Sequence, residues 1–183
     1  MGKHIKVIFI PGNGGGETTD NWFSYLKTEL EKLGVTVIAS KFPDNDLARE
    51  IYWLPFIKNE LKADENTILV GYSSGAVAAM RFAEKNNILG SILVGVCYTD
   101  LGDEKEKLSG YYNRPWNWEA IKNNQKWIVA FASADDPYIP IDKPRLIHEK
   151  LHTEYHEFTN QGHFQNKKTF PELLEALRKK FNK

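Results

Sequence analysis

The chain has a single cysteine, Cys97, in 183 residues. No internal disulfide can form, so a disulfide-stapled scaffold is excluded and a reducing compartment is favoured. The thiol itself reads as a buried strand residue. An excess of either charge is missing too, since 24 Lys and Arg balance 24 Asp and Glu. Without a net positive field or a basic run, neither nucleic acid nor an anionic membrane is expected as a partner. Long apolar runs are also lacking. The N-terminal "IKVIFI" is too short for a signal h-region or a membrane span. After Met1-Gly2, Lys6 stands where a myristoylation signal wants Ser or Thr. The expectation is a cytoplasmic protein. No linker, repeat or low-complexity tract interrupts the sequence. Its length suits one domain over residues 1–183, burying roughly two-thirds of its unfolded surface.

What is present is an alternation. Short β-branched runs at 6–10, 36–40, 67–71, 91–96 and 127–132, with a weaker one at 153–158, predict six strands. Several are apolar on both faces, as parallel strands covered by helices on either side should be. Helical periods fill 21–33, 47–62, 75–86, 115–123, 143–151 and 169–181, and Pro55 requires a kink or break in the second of these. Strand–helix repetition of this kind implies right-handed crossovers and a mostly parallel sheet, an α/β fold with helices on both faces. Ligands of such sheets bind beyond the carboxyl ends of the strands. The segments there are "PGNGGGE", "YSSGA", "SADDPYIP" and "TNQGHF".

Gly71-Tyr72-Ser73-Ser74-Gly75 lies where the third strand gives way to a helix that opens with small residues. A nucleophile elbow needs that context, because the serine must sit on a sharp turn above the sheet while strand and helix approach closely. The alternative is a serine that only caps the helix. A hydroxyl is a weak nucleophile until a base takes its proton and an acid orients the base. Both partners follow in the chain order Ser, Asp, His. Asp135 and Asp136 follow the fifth strand. Asp136 is favoured by its spacing to Pro140, with Asp135 as the alternative. His163 follows the sixth strand, whereas His4, His148, His152 and His156 fall in or beside regular elements. An oxyanion needs two backbone N–H donors. Ser74 offers one, and the glycine loop offers the other at Asn13 or Gly14. That loop is not a nucleotide fingerprint. Glu17 stands where the third glycine of Gly-x-Gly-x-x-Gly belongs, and no Lys-Ser or Lys-Thr follows.

A second motif names a different chemistry. "HEKLH" at 148–152 matches the zinc-binding His-Glu-x-x-His, with His148 and His152 as ligands and Glu172 or Glu175 as a more distant third. The helix around it is short and reads as an ordinary amphipathic one. No metal and no cofactor is expected.

Taken together, "PGNGGG", "WLPF" (53–56), "GYSSGAVAAMR", "DLGDE" (100–104), "SGYYNRPWNWE" (109–119), "DDP" and "GHFQN" (162–166) resemble the retinoblastoma-binding serine hydrolases, small members of the α/β-hydrolase superfamily. The resemblance spans nearly the whole sequence. It implies a compact α/β-hydrolase fold of about six strands without a large cap, and a catalytic triad on Ser73, Asp136 and His163. It also implies esterase or amidase/aminopeptidase-type activity. One feature does not carry over. The family's Leu-x-Cys-x-Glu segment, proposed to bind pocket proteins, corresponds to Leu61-Lys62-Ala63-Asp64-Glu65, where Ala63 replaces the cysteine. A retinoblastoma-type partner is not expected.

The functional expectation is a serine hydrolase acting on a small ester, amide or thioester, including aminoacyl compounds. The alternative is a catalytically idle binding or scaffold protein of the same fold. Trp22, Tyr111, Trp116 and Phe164 are the candidate substrate wall. Trp53 raises the same question, and Arg114 sits among the aromatics of 109–118.

Overall fold

A computed structural model describes residues 5–181; His4 of the sequence reading lies outside them. Six strands form one sheet in the order β2-β1-β3-β4-β5-β6. They are β1 (Lys6–Ile10), β2 (Thr36–Ile38), β3 (Thr67–Tyr72), β4 (Gly90–Val94), β5 (Trp127–Ser133) and β6 (Glu154–Phe158). Every pairing is parallel. The chain first runs outward from β1 to β2, then crosses back to β3 on the other side. This reversal places the ends of β1 and β3 side by side, with Ile10 in register with Gly71.

The strands alternate their side chains between two cores, as a pleated sheet must. Val7, Phe9, Ile68, Val70, Ile92, Val94, Val129 and Phe131 pack on one face. The helices there are α1 (Phe23–Lys32) and α7 (Pro171–Phe181), which touch each other. Ile8, Ile10, Leu69, Leu93 and Ala130 pack on the other face. It is covered by α2 (Glu50–Pro55), α3 (Ser74–Ala83), α5 (Trp118–Asn123) and α6 (Asp142–Leu151). Because β3 and β4 are buried on both faces, their sequences read as unbroken apolar runs.

Several boundaries differ from the sequence expectation for local reasons. Pro55 ends α2, as the expected break, but the chain goes on as a π-helical turn over Phe56–Glu60, where the Leu61 N–H reaches back to Phe56 O. Proline has no N–H to give the regular ladder, and the wider turn absorbs the defect. The fourth strand stops at Val94 because Gly95 turns to φ +59°. An unforeseen helix, α4 (Glu104–Ser109), follows β4. Asp103 caps it by accepting from the Glu106 N–H at 3.0 Å, and Gly110 ends it at φ +86°. The connection from β4 to β5 holds only α4 and α5, so no large cap covers the strand ends. Among the described residues no helix is long and apolar enough to cross a membrane.

Candidate active site

Ser73 sits between β3 and α3 at φ +53°, ψ −120°. A non-glycine residue in this region costs about 1–3 kcal/mol, and such strain persists only when the surroundings impose it. Here they do. The Ser73 N–H donates to Val94 O at 2.8 Å, anchoring the turn to β4. Gly75 lets α3 press against the end of β1. A Cβ there would lie 2.2 Å from the Ile10 carbonyl oxygen and 2.4 Å from that of Pro11. The serine is thereby pushed out above the sheet, with its hydroxyl free of the helix.

His163 comes to it from the loop after β6. The Ser73 hydroxyl donates to His163 Nε2 across 3.0 Å. The His163 Nδ1–H donates to Asp136 Oδ2 across 2.7 Å. A carboxylate accepts only, so this bond fixes the tautomer and leaves Nε2 as the acceptor facing Ser73. Asp136 is held in turn, since its other oxygen accepts from the N–H groups of Tyr138 at 2.9 Å and Ile139 at 3.0 Å. Both His163 and Asp136 are almost wholly buried. Gly95 makes room for the ring: His163 Cε1 lies 3.0 Å from where a Cβ would stand. The Tyr72 hydroxyl donates to the His163 carbonyl at 2.8 Å, and burial pushes its own pKa well upward, keeping it a donor. Asp135 does something else. It accepts from Ser133 Oγ at 2.5 Å and from the Gly162 N–H at 2.9 Å, tying the β5 turn to the histidine loop.

The glycine loop divides its donors. The Gly14 N–H is spent on Asp46 O at 2.9 Å and that of Gly15 on Asn45 O at 3.1 Å. The N–H groups of Asn13 and Ser74 make no hydrogen bond among the described residues. Both residues line a cleft of about 820 Å³ that also contains Ser73 and His163. The cleft wall carries Phe23, Val77, Leu101, Tyr112, Tyr138 and Ile139.

None of the four aromatics expected as a substrate wall lines this cleft. Trp22, Tyr111 and Phe164 are fully buried in the core. Trp22 packs on Phe23, Tyr72 and Phe170 beneath the sheet end. Phe164 stacks on Phe170 at 5.4 Å and anchors the histidine loop. Trp116 lies 3.5 Å from the Arg81 guanidinium and stacks on Trp118. Trp53 is also core, its indole N–H given to Pro43 O at 2.7 Å. Arg114 points at Glu50 rather than at the cleft. The sequence reading missed the neighbour of Tyr111. Tyr112 faces the cleft, and Glu106 from the unforeseen α4 stands beside it.

Among the described residues five carboxylates line the cleft, Glu17, Asp20, Asp100, Asp103 and Glu106, against one lysine, Lys105, which pairs with Asp46 at 3.2 Å. Burial pushes the Glu106 carboxyl pKa up, with Asp103 and Asp100 adding to the effect.

The zinc motif has other employment. His148 stacks on Tyr155 at 4.9 Å and its Nδ1 lies 3.1 Å from Thr153 Oγ1, while His152 ends α6 at φ +52°. Among the described residues no three His, Cys, Asp or Glu are grouped as a metal ion would need. Leu61 and Ala63, in the segment matching the pocket-protein motif, are buried.

Comparison with known proteins agrees with this architecture. The family model described as serine hydrolase matches residues 7–180. The chain is 43% identical to the serine hydrolase RBBP9 of Rattus norvegicus over 180 residues, covering 97% of this chain and 96% of that one. The crystal structure of the ydeN gene product from Bacillus subtilis superimposes with a TM-score of 0.87 at 25% identity, over 97% of this chain and all of that one. Est1E from Butyrivibrio proteoclasticus shares the fold, with a TM-score of 0.76 at 12% identity over 99% of this chain and 90% of its own.

Proposed function

The chain belongs to the serine hydrolase family, and from that premise we propose that it cleaves a small ester, amide or thioester, aminoacyl compounds included, through an acyl-enzyme on Ser73. The observation that carries this reading is the continuous chain Ser73–His163–Asp136, at 3.0 and 2.7 Å, opening on a cleft.

Ser73 Oγ attacks the substrate carbonyl carbon as His163 Nε2 takes the hydroxyl proton. Asp136 holds the ring and stabilises the imidazolium that forms. The carbonyl oxygen becomes an oxyanion facing the N–H groups of Asn13 and Ser74, and preorganised donors of this kind supply the largest share of such catalysis. His163 then gives its proton to the leaving alkoxide, amine or thiolate, and the carbonyl re-forms as an ester of Ser73. Water enters, loses a proton to His163 and releases the acid by the reverse sequence. No step calls for a cofactor. A retinoblastoma-type partner is not part of this reading, since Ala63 replaces the motif cysteine and is buried.

A fluorophosphonate probe tests the proposal. One covalent adduct is expected per chain, mapped by peptide mass to Ser73, with p-nitrophenyl ester turnover unaffected by a chelator. A well-folded protein that takes up no probe would instead support the idle, binding-protein alternative, and loss of turnover to the chelator would point to His148 and His152.

The acidic cleft adds a second expectation. Esters whose acyl chain ends in a carboxylate meet Glu106, Asp100 and Asp103 without a free counter-ion. Against a neutral ester of equal length, kcat/KM for p-nitrophenyl succinate should be lower by on the order of tenfold, about 1.4 kcal/mol. The gap should narrow in high salt, which screens charges at this range. Equal rates at low salt would show that the acyl group binds away from these carboxylates.

A further inference from the structure

Between Gly12 and Gly16, Asn13 is the one residue with a side chain. Gly14 and Gly15 follow it at φ +69° and +83°. The glycine loop is therefore intrinsically soft just where a backbone N–H must be aimed. Behind it, the bonds from Gly14 and Gly15 to Asp46 and Asn45 hold the far half of the loop. They leave Asn13 itself to be fixed by its side chain.

That side chain reaches across the cleft mouth. Asn13 Nδ2 donates to Glu106 Oε1 at 2.7 Å, over a sequence separation of 93 residues. The other Glu106 oxygen accepts from the Tyr112 hydroxyl at 3.2 Å. No lysine or arginine pairs with Glu106 among the described residues. Its two oxygens are both engaged in holding neighbours, although burial of an unpaired carboxylate is unfavourable. Lys105, the preceding residue of α4, pairs with Asp46, whose carbonyl holds Gly14. The short helix α4 thus grips the loop from two sides.

We propose that Glu106 is a positioning residue for the oxyanion site, fixing the Asn13 side chain and so aiming the Asn13 N–H toward the cleft; this rests on the acyl-transfer reading above. Ser74 needs no such support, because its N–H is set by α3 and by the locked turn at Ser73. The Asn13 donor has no helix behind it. Catalytic donors must be held within about half an ångström of their productive place. Glu106 supplies the missing constraint.

Kinetics of p-nitrophenyl acetate hydrolysis by purified full-length variants test this. Complete loss of one oxyanion donor costs roughly 10²–10³ in kcat. Misalignment in Glu106→Leu should cost part of that, about 10- to 100-fold in kcat, with KM within about twofold. Glu106→Gln retains an oxygen acceptor for Asn13 Nδ2 and should recover kcat to within about threefold of wild type. Asn13→Ala should reproduce the loss, and adding Glu106→Leu to it should make matters no worse, the signature of residues acting as one unit. Asn13→Ala also keeps the test decisive if Glu106→Leu melts early. Unchanged kcat in Glu106→Leu, additive losses in the double variant, or a Gln variant as slow as the Leu variant overturns the inference. So does a rise in KM at constant kcat, which would make Glu106 a substrate contact. A wild type without turnover sinks the hydrolase reading, and this inference with it. An active wild type with an indifferent Glu106 sinks this inference alone.

Discussion

Ser73→Ala should lower kcat by on the order of 10⁶-fold and Asp136→Asn by about 10⁴-fold, while both variants melt near the wild-type temperature. The two numbers differ for a chemical reason. Alanine removes the attacking oxygen, so no acyl-enzyme can form, and what remains is the rate of water held near the oxyanion donors. Asparagine leaves an oxygen and an NH₂ in the place of the carboxylate. It can still hold the ring, but it offers the His163 Nδ1 position a donor as readily as an acceptor. The imidazole then settles with its proton on Nε2, facing Ser73, and cannot act as a base. Asp135→Asn is the control. Its carboxylate serves Ser133 Oγ and the Gly162 N–H and makes no contact with the histidine ring. It should lower the melting temperature only slightly, because those bonds are made by a solvent-exposed carboxylate, and cost about tenfold or less in rate. If Asp135→Asn were the slower of the two, the acid of the triad would have been assigned to the wrong neighbour. The readouts are kcat and KM on a p-nitrophenyl ester, with thermal unfolding alongside. Ser73→Ala should also gain stability from relief at φ +53° only if alanine relaxes the turn, and the Val94 anchor on its N–H argues that it does not.

How much of this was readable beforehand depends on how local the cause was. β3 and β4 are buried on both faces, so their apolar runs were visible as strands. Chain order and position after a strand picked out Ser73, Asp136 and His163, which hydrogen bonds join in the structure. The family model and the ydeN gene product agree with the fold that was expected. Helix α4 was not readable by period, because "EKEKLS" carries a single apolar residue, Leu108, and even that one stays exposed. Its signal lay in its ends instead, in the Asp103 cap and the left-handed Gly110. None of the four wall aromatics reached the cleft, and at Tyr111 the expectation missed by one residue. Which of Tyr111 and Tyr112 turns inward is decided by the exit angle at Gly110 and by the grip of Arg81 on Tyr111 O, neither of which leaves a mark on composition. Trp116 failed for a related reason, since its partner is a buried cation, and an arginine in a helical period is ordinarily placed outside.

That cation carries the largest expected effect on stability. Arg81 on α3 has a fully buried side chain. Its guanidinium donates to Tyr111 O at 2.8 and 2.5 Å, Arg114 O at 2.8 Å and Pro115 O at 3.1 Å. It also pairs with Glu84 at 2.6 Å, and Trp116 stacks on its face. Burial lowers its pKa and Glu84 opposes the shift, as a desolvated but paired cation requires. The result is that the aromatic segment after α4 is fastened to the helix that begins at the nucleophile. Arg81→Met should destabilise by about 3–5 kcal/mol, because three carbonyls lose their donor together and the buried Glu84 keeps only Arg114 and the Asn117 N–H. For a chain of this size that is a fall of roughly 6–20 °C in Tm. Arg81→Lys keeps the charge but cannot serve three carbonyls in one plane or stack on Trp116, so it should recover less than half of the loss. The Ser73–His163 geometry is not touched by either change. Well below its Tm, each variant should therefore keep kcat within about threefold of wild type. If Arg81→Met melted within about 2 °C of wild type, less than 1 kcal/mol, the segment would be held by its apolar contacts alone. A variant that stayed folded but lost turnover would instead make the Arg81 clamp part of how α3 presents Ser73, joining this buried cation to the chemistry.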